Sequence, residues 1–345
     1  MNSHQIRVHL PFKKEACEKG FGIKNAYFEC EKLLKASKRV HLDENLSPKT
    51  DVIHFHTFDV WDPRPFLIAL LSRKKIVMSA HIIPDTVAKM IPFSFIWLRY
   101  FKMLLRIYLN RADVVIAVSN ATRDVCVNDL KVEPEVVVVP NLIDISRFRT
   151  NSHEVNTLRK ELGFGLDDFI IVSSGHIQPR KRFDIFIETA KMLPRFKFVW
   201  IGDIMFKYTS DYKKLKAMID NPPENVTVTG ILEPDDVAKW TKLANVIIFP
   251  SDQETFGLAI VEGAATLTPV VARNLKDYDA TFGDKIIRCN DVADFVNEIQ
   301  RLYDDPECYN QYVQKSAQIA EKYDSAVNGD ELVNIYERLC YTTDA

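Results

Sequence analysis

Residues 244–265, ANVIIFPSDQETFGLAIVEGAA, combine a strand pattern, a polar loop and a helix pattern in direct succession. The run VIIF predicts a buried strand, SDQET a loop, and the segment opened by Gly257 a helix. Glu254 lies in the predicted loop, and Glu262 follows eight positions later, more than one turn inside the helix. Backbone N–H groups at such a helix start bind anions, and a glycine lets a ligand approach the backbone closely. The stretch therefore predicts an α/β fold with an anion site flanked by two carboxylates.

The same strand and helix alternation extends over most of the chain. Continuous apolar runs separated by helix-length segments indicate parallel strands that are covered on both faces, so we predict two doubly wound α/β domains. The predicted strands are 6–10, 51–58, 74–82, 113–120 and 135–141, then 168–177, 196–203, 225–232, 244–251 and 269–274.

A polar stretch at 145–156 divides the two series of strands. We therefore predict domains at 1–148 and 149–345, the second ending in helices of which the last can pack back on the first domain. Ligands of open α/β sheets bind at the carboxyl ends of the strands, which predicts a site in the cleft between the domains.

Composition indicates an ordinary globular protein of 345 residues, 47% of them hydrophobic. The six cysteines are scattered, without the spacing of a zinc site or a disulfide framework, so we expect a reducing cytoplasm. The start shows no signal-peptide pattern. The longest run without Asp, Glu, Lys or Arg is 169–179, far below the ~20 residues that span a bilayer.

The net charge of -2 conceals an asymmetry, because residues 1–148 carry +6 and the remainder -8. A basic first half suits a phosphate-rich surface, membrane or nucleic acid, although on charge alone an uneven scatter of solvated charge is the favoured explanation. No nucleic-acid partner is expected.

The two acids at 254 and 262 suit a nucleotide sugar, because carboxylates accept hydrogen bonds from the hydroxyls on both sides of a diphosphate. On spacing alone, they could equally be a first-turn acid that helps the helix dipole and a solvated helix residue. The stretch resembles the E-x7-E signature of the retaining glycosyltransferase family 4, whose GT-B fold consists of two Rossmann-like domains. The resemblance implies that Glu262 binds the ribose and Glu254 the donor sugar, with Phe256, Gly257 and Leu258 beside the sugar and phosphates.

A second segment, SSGHIQPRKRFD at 173–184, places consecutive cations where a predicted strand enters a helix. Cations oppose the dipole of a helix start unless an anion binds there. The segment resembles the family's diphosphate-binding element, with Gly175 and Lys181 matching, His176 in place of an arginine and Arg182 in place of a glycine. Either His176 or Arg180 supplies the second cation, and permanent charge favours Arg180.

Glycines and histidines of the first half complete the resemblance. Gly20 and Gly22 match only part of a dinucleotide fingerprint but resemble the family's donor-facing glycine loop. The segment VMSAHIIPD resembles the strand end whose histidine contacts the donor sugar, which assigns that role to His81. His54 and His56 share one strand face, yet no neighbouring residue completes a ligand set, so we expect no metal.

Residues 89–111 interleave aromatic and basic side chains in a helical pattern. Arg99, Lys102 and Arg106 follow one face, and Trp97 lies among the apolar remainder. The helix either lies in a membrane interface or packs on its own sheet, and the sequence leaves both open.

Within the family, HFHTFD, SAHIIPD and GHIQPRK most resemble bacterial glucosyltransferases that act on diacylglycerol or its glucosyl derivative. The resemblance implies transfer of a hexose, with glucose the first choice, from a UDP-sugar with retention and without a cofactor. His81, Lys181 and Glu254 would be catalytic, and the protein would be cytoplasmic, with peripheral contact to the inner membrane face. The alternatives are a polysaccharide or protein acceptor, a nicotinamide-dependent oxidoreductase, and a silent nucleotide-binding partner protein.

Overall fold

The computed structural model describes residues 5–11, 22–56, 63–81, 84, 94–204 and 211–341. Internal contacts divide the chain into two compact units. The first takes the described parts of 1–88, 93–143 and 324–345, and the second those of 144–323. The division falls five residues before the boundary that the sequence suggested at 148, and the last helix belongs to the first unit.

The first unit contains a six-stranded, wholly parallel sheet with the strand order β2-β1-β3-β4-β5-β6. Its strands are β1 (Ile6–His9), β2 (Val40–Asp43), β3 (Val52–Phe55), β4 (Lys75–Ala80), β5 (Val114–Ala117) and β6 (Glu135–Val138). Its described helices are α1 (Gly22–Ala36), α2 (Arg64–Leu71), α3 (Ser94–Leu109) and α4 (Asn120–Asp124), joined near the end of the chain by α13 (Ser325–Asn328) and α14 (Asp330–Tyr341).

Helices cover both faces of this sheet, because its central strands are apolar on both sides. Every residue of β3 and β5 is buried. On one face, Val52, Val77 and Val114 pack against α1 and α14. On the opposite face, α2 and α3 pack over the neighbouring strand residues.

The second unit contains another parallel six-stranded sheet, in the order β12-β11-β10-β7-β8-β9. Its strands are β7 (Ile170–Ser174), β8 (Lys197–Ile201), β9 (Val226–Val228), β10 (Val246–Phe249), β11 (Val270–Arg273) and β12 (Ile287–Cys289). Its helices are α5 (Ser152–Glu161), α6 (Phe183–Met192), α7 (Tyr212–Asp220), α8 (Pro234–Thr241), α9 (Leu258–Ala265), α10 (Asp277–Thr281), α11 (Val292–Asp304) and α12 (Pro306–Lys322).

This strand order determines which loops meet. Strand β7 lies between β10 and β8, so the segments that follow these three strands emerge side by side at one edge of the sheet. An aromatic core of Phe183, Phe186, Phe198 and Trp200 packs under the strands and holds α6 against them.

The prediction of two parallel α/β domains is confirmed. The sequence analysis missed the edge strands β2 and β12, which have four and three residues and lack a continuous apolar run. Three or four residues without an apolar run are too few for the pattern by which strands are recognised in a sequence.

Candidate active site

The segment after β7 forms a tight turn around Gly175, which has a φ of +132°. A Cβ on Gly175 would lie 3.5 Å from Cε of Lys181, so the lysine side chain passes directly over the glycine. Residues Pro179–Lys181 form a short 3₁₀ turn, and Arg182 then adopts a left-handed conformation before α6 begins. The turn brings Lys181 back over the end of its own strand.

Lys181 and Glu254 form a buried ion pair between the loops that follow β7 and β10. The Nζ atom of Lys181 donates to Oε1 of Glu254 at 2.5 Å, and Nη1 of Arg180 lies 3.5 Å from Oε2. Lys181 is 9% exposed and Glu254 8%. The structure therefore brings three of the predicted site residues together across 73 positions of sequence.

The loops are also tied through backbone atoms. Arg180 Nη1 donates to Gln253 O at 2.9 Å, and the N–H of Asp252 donates to Arg180 O at 2.8 Å. The Nε atom of Arg180 is buried and has no hydrogen-bond partner within the described part of the chain. The guanidinium of Arg180 is thus not fully used by contacts within the described chain.

The electrostatics of this pair set the charge of Glu254. Burial acts to raise the pKa of Glu254, but the charges of Lys181 and Arg180 outweigh it and hold that pKa below its ordinary value. Burial lowers the pKa of Lys181, and the adjacent Glu254 opposes the shift. Glu254 is therefore an ionised carboxylate at neutral pH, with both oxygens facing cations.

Helix α9 begins beside this pair. Gly257 is its N-cap, with a φ of +93°, and Leu258 is the first helical residue. Glu262 is half-buried on the second turn, and its charge acts on Lys181 to raise the lysine pKa. The helix start, both acids and both cations thus belong to one electrostatic cluster.

Phe256 occupies a different environment from its neighbours. Its ring is 5% exposed and packs edge-on against Tyr323 at 5.2 Å between centroids, with Phe282 at 6.3 Å. The residue anchors the loop to the core of the unit. His176 is half-buried one position after Gly175.

Two residues beside the site make contacts that the sequence analysis did not predict. Arg182 donates to Asp184 and, at 3.1 Å, to Asp252, and so links α6 to the loop after β10. Gly202, directly after β8, has a φ of +141°, and a Cβ there would lie 2.3 Å from Gly175 O. A glycine near the end of a predicted strand, as in WIGD at 200–203, was the available signal for this close approach.

The predicted histidines gather in the first unit. His81 Nε2 lies 3.0 Å from His56 Nδ1, with the rings stacked 5.2 Å apart. His54 Nδ1 pairs with Tyr336 Oη at 2.7 Å and its Nε2 with Ser79 Oγ at 2.8 Å. Burial lowers the pKa of His81 to about 4 and, with the charge of His81, that of His54 to about 3. All these imidazoles are neutral at pH 7.

Cys30 joins His54 and His56, and the donor atoms of the three lie within 4.8 Å of one another. The sequence could not reveal this cluster, since Cys30 is contributed by α1. Both nitrogens of His54 are already hydrogen-bonded, and burial raises the pKa of the Cys30 thiol to about 12, which disfavours the thiolate that a metal needs. The cluster fits a buried hydrogen-bond network better than a metal centre.

The remaining predicted residues lie elsewhere. Gly20 lies outside the described residues, and Gly22 opens α1. On α3, Arg99 and Arg106 are exposed, whereas Trp97 and Lys102 are half-buried. The helix packs on its own sheet through Leu105, Tyr108 and Leu109, so the packing alternative for this segment is correct, and the membrane alternative stays a prediction.

Family models match both units. The model described as "Glycosyltransferase Family 4" covers residues 17–147, and the model described as "Glycosyl transferases group 1" covers residues 154–319. The chain belongs to glycosyltransferase family 4. The resemblance seen in the sequence is thereby confirmed.

Relatives in this family include enzymes named for glycolipids. The chain is 28% identical over 285 residues to an alpha-galactosylglucosyldiacylglycerol synthase of Streptococcus pneumoniae, covering 81% of this chain and 75% of the relative. It is 24% identical over 277 residues to a processive diacylglycerol alpha-glucosyltransferase of Acholeplasma laidlawii, covering 79% and 80%.

Solved structures confirm the GT-B fold. Anabaena HepE, solved in complex with UDP and glucose, superimposes with a TM-score of 0.76 at 17% identity, covering 96% of this chain and 99% of that one. Among the described helices of the present chain, none is long and apolar enough to cross a membrane.

Proposed function

We propose that this family member transfers a hexose, glucose before other sugars, from a UDP-sugar to a hydroxyl of diacylglycerol or of a glycosylated diacylglycerol, with retention. One observation carries the donor half of the proposal. Arg180 and Lys181 converge on Glu254, three residues before the N-cap of α9, and keep this carboxylate ionised. Fixed positive groups of this kind suit a diphosphate leaving group.

In the proposed reaction, the bond between the anomeric carbon and the β-phosphate oxygen breaks while the acceptor oxygen bonds to the same face of that carbon. The acceptor proton passes to the departing phosphate oxygen, and UDP leaves. Arg180 and Lys181 stabilise the negative charge that develops on the diphosphate. No metal or other cofactor takes part.

Glu254 is proposed to orient the donor sugar rather than attack it. Both of its oxygens already face cations, which lowers the basicity and the nucleophilicity of the carboxylate. An incoming diphosphate would draw Arg180 and Lys181 toward its own oxygens and free Glu254 for sugar hydroxyls. Glu262 is proposed to bind the ribose, and His81 to contact the sugar as a neutral imidazole.

The names of the relatives support the acceptor half, since two of them act on diacylglycerol derivatives. The basic face of α3 supports peripheral contact with an anionic membrane, through Arg99, Lys102 and Arg106, and the half-buried Trp97 lies on the same helix. A protein bound to the membrane surface in this way would be close to an acceptor that is itself a membrane lipid.

Mass spectrometry of lipid extracts tests this proposal. The full chain is incubated with UDP-glucose, UDP-galactose and UDP-N-acetylglucosamine and with vesicles of diacylglycerol and monoglucosyl-diacylglycerol in anionic lipid. We expect a new glycolipid, and its mass identifies donor and acceptor together. Release of UDP without a glycolipid would contradict the lipid acceptor, and intact donors throughout would contradict the transferase.

A further inference from the structure

The outward face of α3 is apolar, although the helix already buries another apolar face against its sheet. Exposed side chains recur at the spacing of one helical face, and they are 47–66% exposed. A surface helix of a globular unit normally carries polar residues there. The members of this face are Ile96, Tyr100, Met103, Leu104 and Ile107.

Helix α2 repeats this arrangement. Ala69 is buried and Phe66 packs on the sheet, whereas Leu67, Ile68 and Leu71 point away from it, with exposed fractions of 51%, 53% and 84%. The helix contains no acidic residue. Two consecutive crossover helices thus present apolar faces to solvent.

The two helices are neighbours on the same face of the sheet. The rings of Phe66 and Tyr108 lie 4.8 Å apart, and both contact Phe55. Their outward faces together form what we term the outer apolar surface. Exposed apolar side chains grouped on two neighbouring helices indicate a binding partner, whereas singly scattered ones do not. Its members are Leu67, Ile68, Leu71, Ile96, Tyr100, Met103, Leu104 and Ile107.

The charge around this surface identifies the partner. Residues 64–112 contain nine Arg and Lys but a single acid, Asp85. Arg73, Arg99 and Lys102 form no ion pair with any residue that the structure describes. Exposed apolar side chains bordered by cations fit an anionic bilayer, in which the apolar groups enter the acyl boundary and the cations reach the lipid phosphates.

We propose that α2 and α3 insert the outer apolar surface into the interface of an anionic membrane, so that the protein is held by apolar burial as well as by charge. The inference deepens the proposed function and rests on it for the choice of a lipid surface as partner. Electrostatic attraction alone would disappear at high salt, whereas inserted leucines retain part of the binding.

Vesicle flotation of the full chain tests the inference, with equal parts of phosphatidylglycerol and phosphatidylcholine at low and high salt. The variant Leu67→Gln/Leu71→Gln removes apolar area from α2 and leaves every cation in place. Loss of two leucines that are partly buried in lipid costs about 1.5 kcal/mol or more, so we expect at least a tenfold loss of binding. The control Leu166→Gln/Met192→Gln alters exposed apolar residues of the second unit and keeps binding intact.

The wild type should stay partly bound at high salt, and Arg99→Gln/Lys102→Gln/Arg106→Gln should reduce binding chiefly at low salt. Equal flotation of Leu67→Gln/Leu71→Gln and the control would overturn the inference. The inference would also be overturned if the wild type does not float with vesicles but forms a dimer that Leu67→Gln/Leu71→Gln disrupts. The outer apolar surface would then bind a second copy of this chain instead of a membrane. Circular dichroism verifies the fold of each variant.

The proposed function is tested separately, by measuring UDP binding in a titration and UDP release from the donors in the absence of vesicles. Membrane binding without turnover of any donor would support the membrane role of the outer apolar surface and contradict the proposed enzyme activity. Turnover of a donor by a protein that does not bind vesicles would support the enzyme activity and contradict the membrane role of the outer apolar surface.

Discussion

The Lys181–Glu254 pair shows how two buried charges can serve a reaction. Removal of one partner leaves the other in a poorly solvated position, whereas removal of both eliminates the unpaired charge. Substitutions should therefore affect stability and activity differently, because the proposed catalysis needs the charge of Lys181 whether or not Glu254 is present.

We predict that Lys181→Met lowers the free energy of unfolding by about 3 kcal/mol, and that Lys181→Met/Glu254→Gln recovers a good part of it. Transfer should fall by 100-fold or more in both variants, because neither supplies the charge opposite the leaving diphosphate. Urea unfolding and UDP release measure the two quantities.

Lys239→Met is the matched control for this pair of variants, since Lys239 is an exposed lysine of the same unit. It should change neither quantity. Recovery of transfer in the double variant would contradict a direct role for Lys181.

The buried histidines make stability depend on pH. In the unfolded chain an imidazole takes a proton near pH 6.5, whereas burial lowers the pKa of His81 to about 4 and that of His54 to about 3. The unfolded state therefore gains protons first as the pH falls. The contribution of each histidine is complete above pH 6.5 and decreases from there toward the folded pKa, by about 1.4 kcal/mol per pH unit.

We predict that His54→Asn reduces the slope of unfolding free energy against pH, between pH 6 and 4.5, by about 1.4 kcal/mol per unit. His153→Gln, at an exposed histidine, should leave the slope unchanged. Urea unfolding at a series of pH values gives the slopes, and identical slopes for wild type and His54→Asn would refute this account of the histidine cluster.

At the level of elements, the site depends on the close approach of the turns after β7 and β8. Gly202 permits it, since Gly175 O lies where a side chain would begin, and Trp200 Nε1 donates to the same oxygen at 2.9 Å. Lys181 lies over Gly175, so any displacement of this turn moves the proposed diphosphate-binding lysine.

We predict that Gly202→Ala costs several kcal/mol of stability and weakens UDP binding at least tenfold, because both its positive φ and the 2.3 Å approach exclude a Cβ. Gly163→Ala shares a positive φ but has open space around it, and should cost only about 1 kcal/mol. Thermal unfolding and calorimetric titration with UDP compare the two. Equal costs would mean that the steric contact is unimportant.

Helices and strands with a strong hydrophobic pattern were predictable from the sequence, whereas contacts between residues far apart in the chain were not. The strand-loop-helix of 244–265 is present as β10, a loop and α9, with Gly257 at the helix start. The family resemblance indicated Lys181 and Glu254 as separate site residues, but their direct ion pair depends on β7 lying beside β10. Cys30 carries no local signal of its distant contacts, and the local signal at Gly202 is limited to a glycine near the end of a strand, which does not identify Gly175 as the partner.

At the scale of the whole molecule, each unit contributes a different half of the proposed reaction. The second unit holds the cation and carboxylate cluster that suits a UDP-sugar. The first unit holds the histidine cluster and the two helices with exposed apolar faces. Family membership accounts for the fold of both, whereas the identity of the acceptor depends on surfaces that vary among members of one fold.

The most direct test of the central claim is NMR spectroscopy of the glycoside formed by the full chain. Each of the three UDP-sugars, labelled with ¹³C at the anomeric carbon, is supplied with vesicles that contain diacylglycerol and monoglucosyl-diacylglycerol. We predict an α-linked product from one donor, since UDP-hexoses are α-configured and the proposed reaction retains that configuration. Lys239→Met should form it as fast as wild type, and Lys181→Met at least 100-fold more slowly. A β-linked product, unchanged donors, or equal rates for Lys181→Met and wild type would contradict the account.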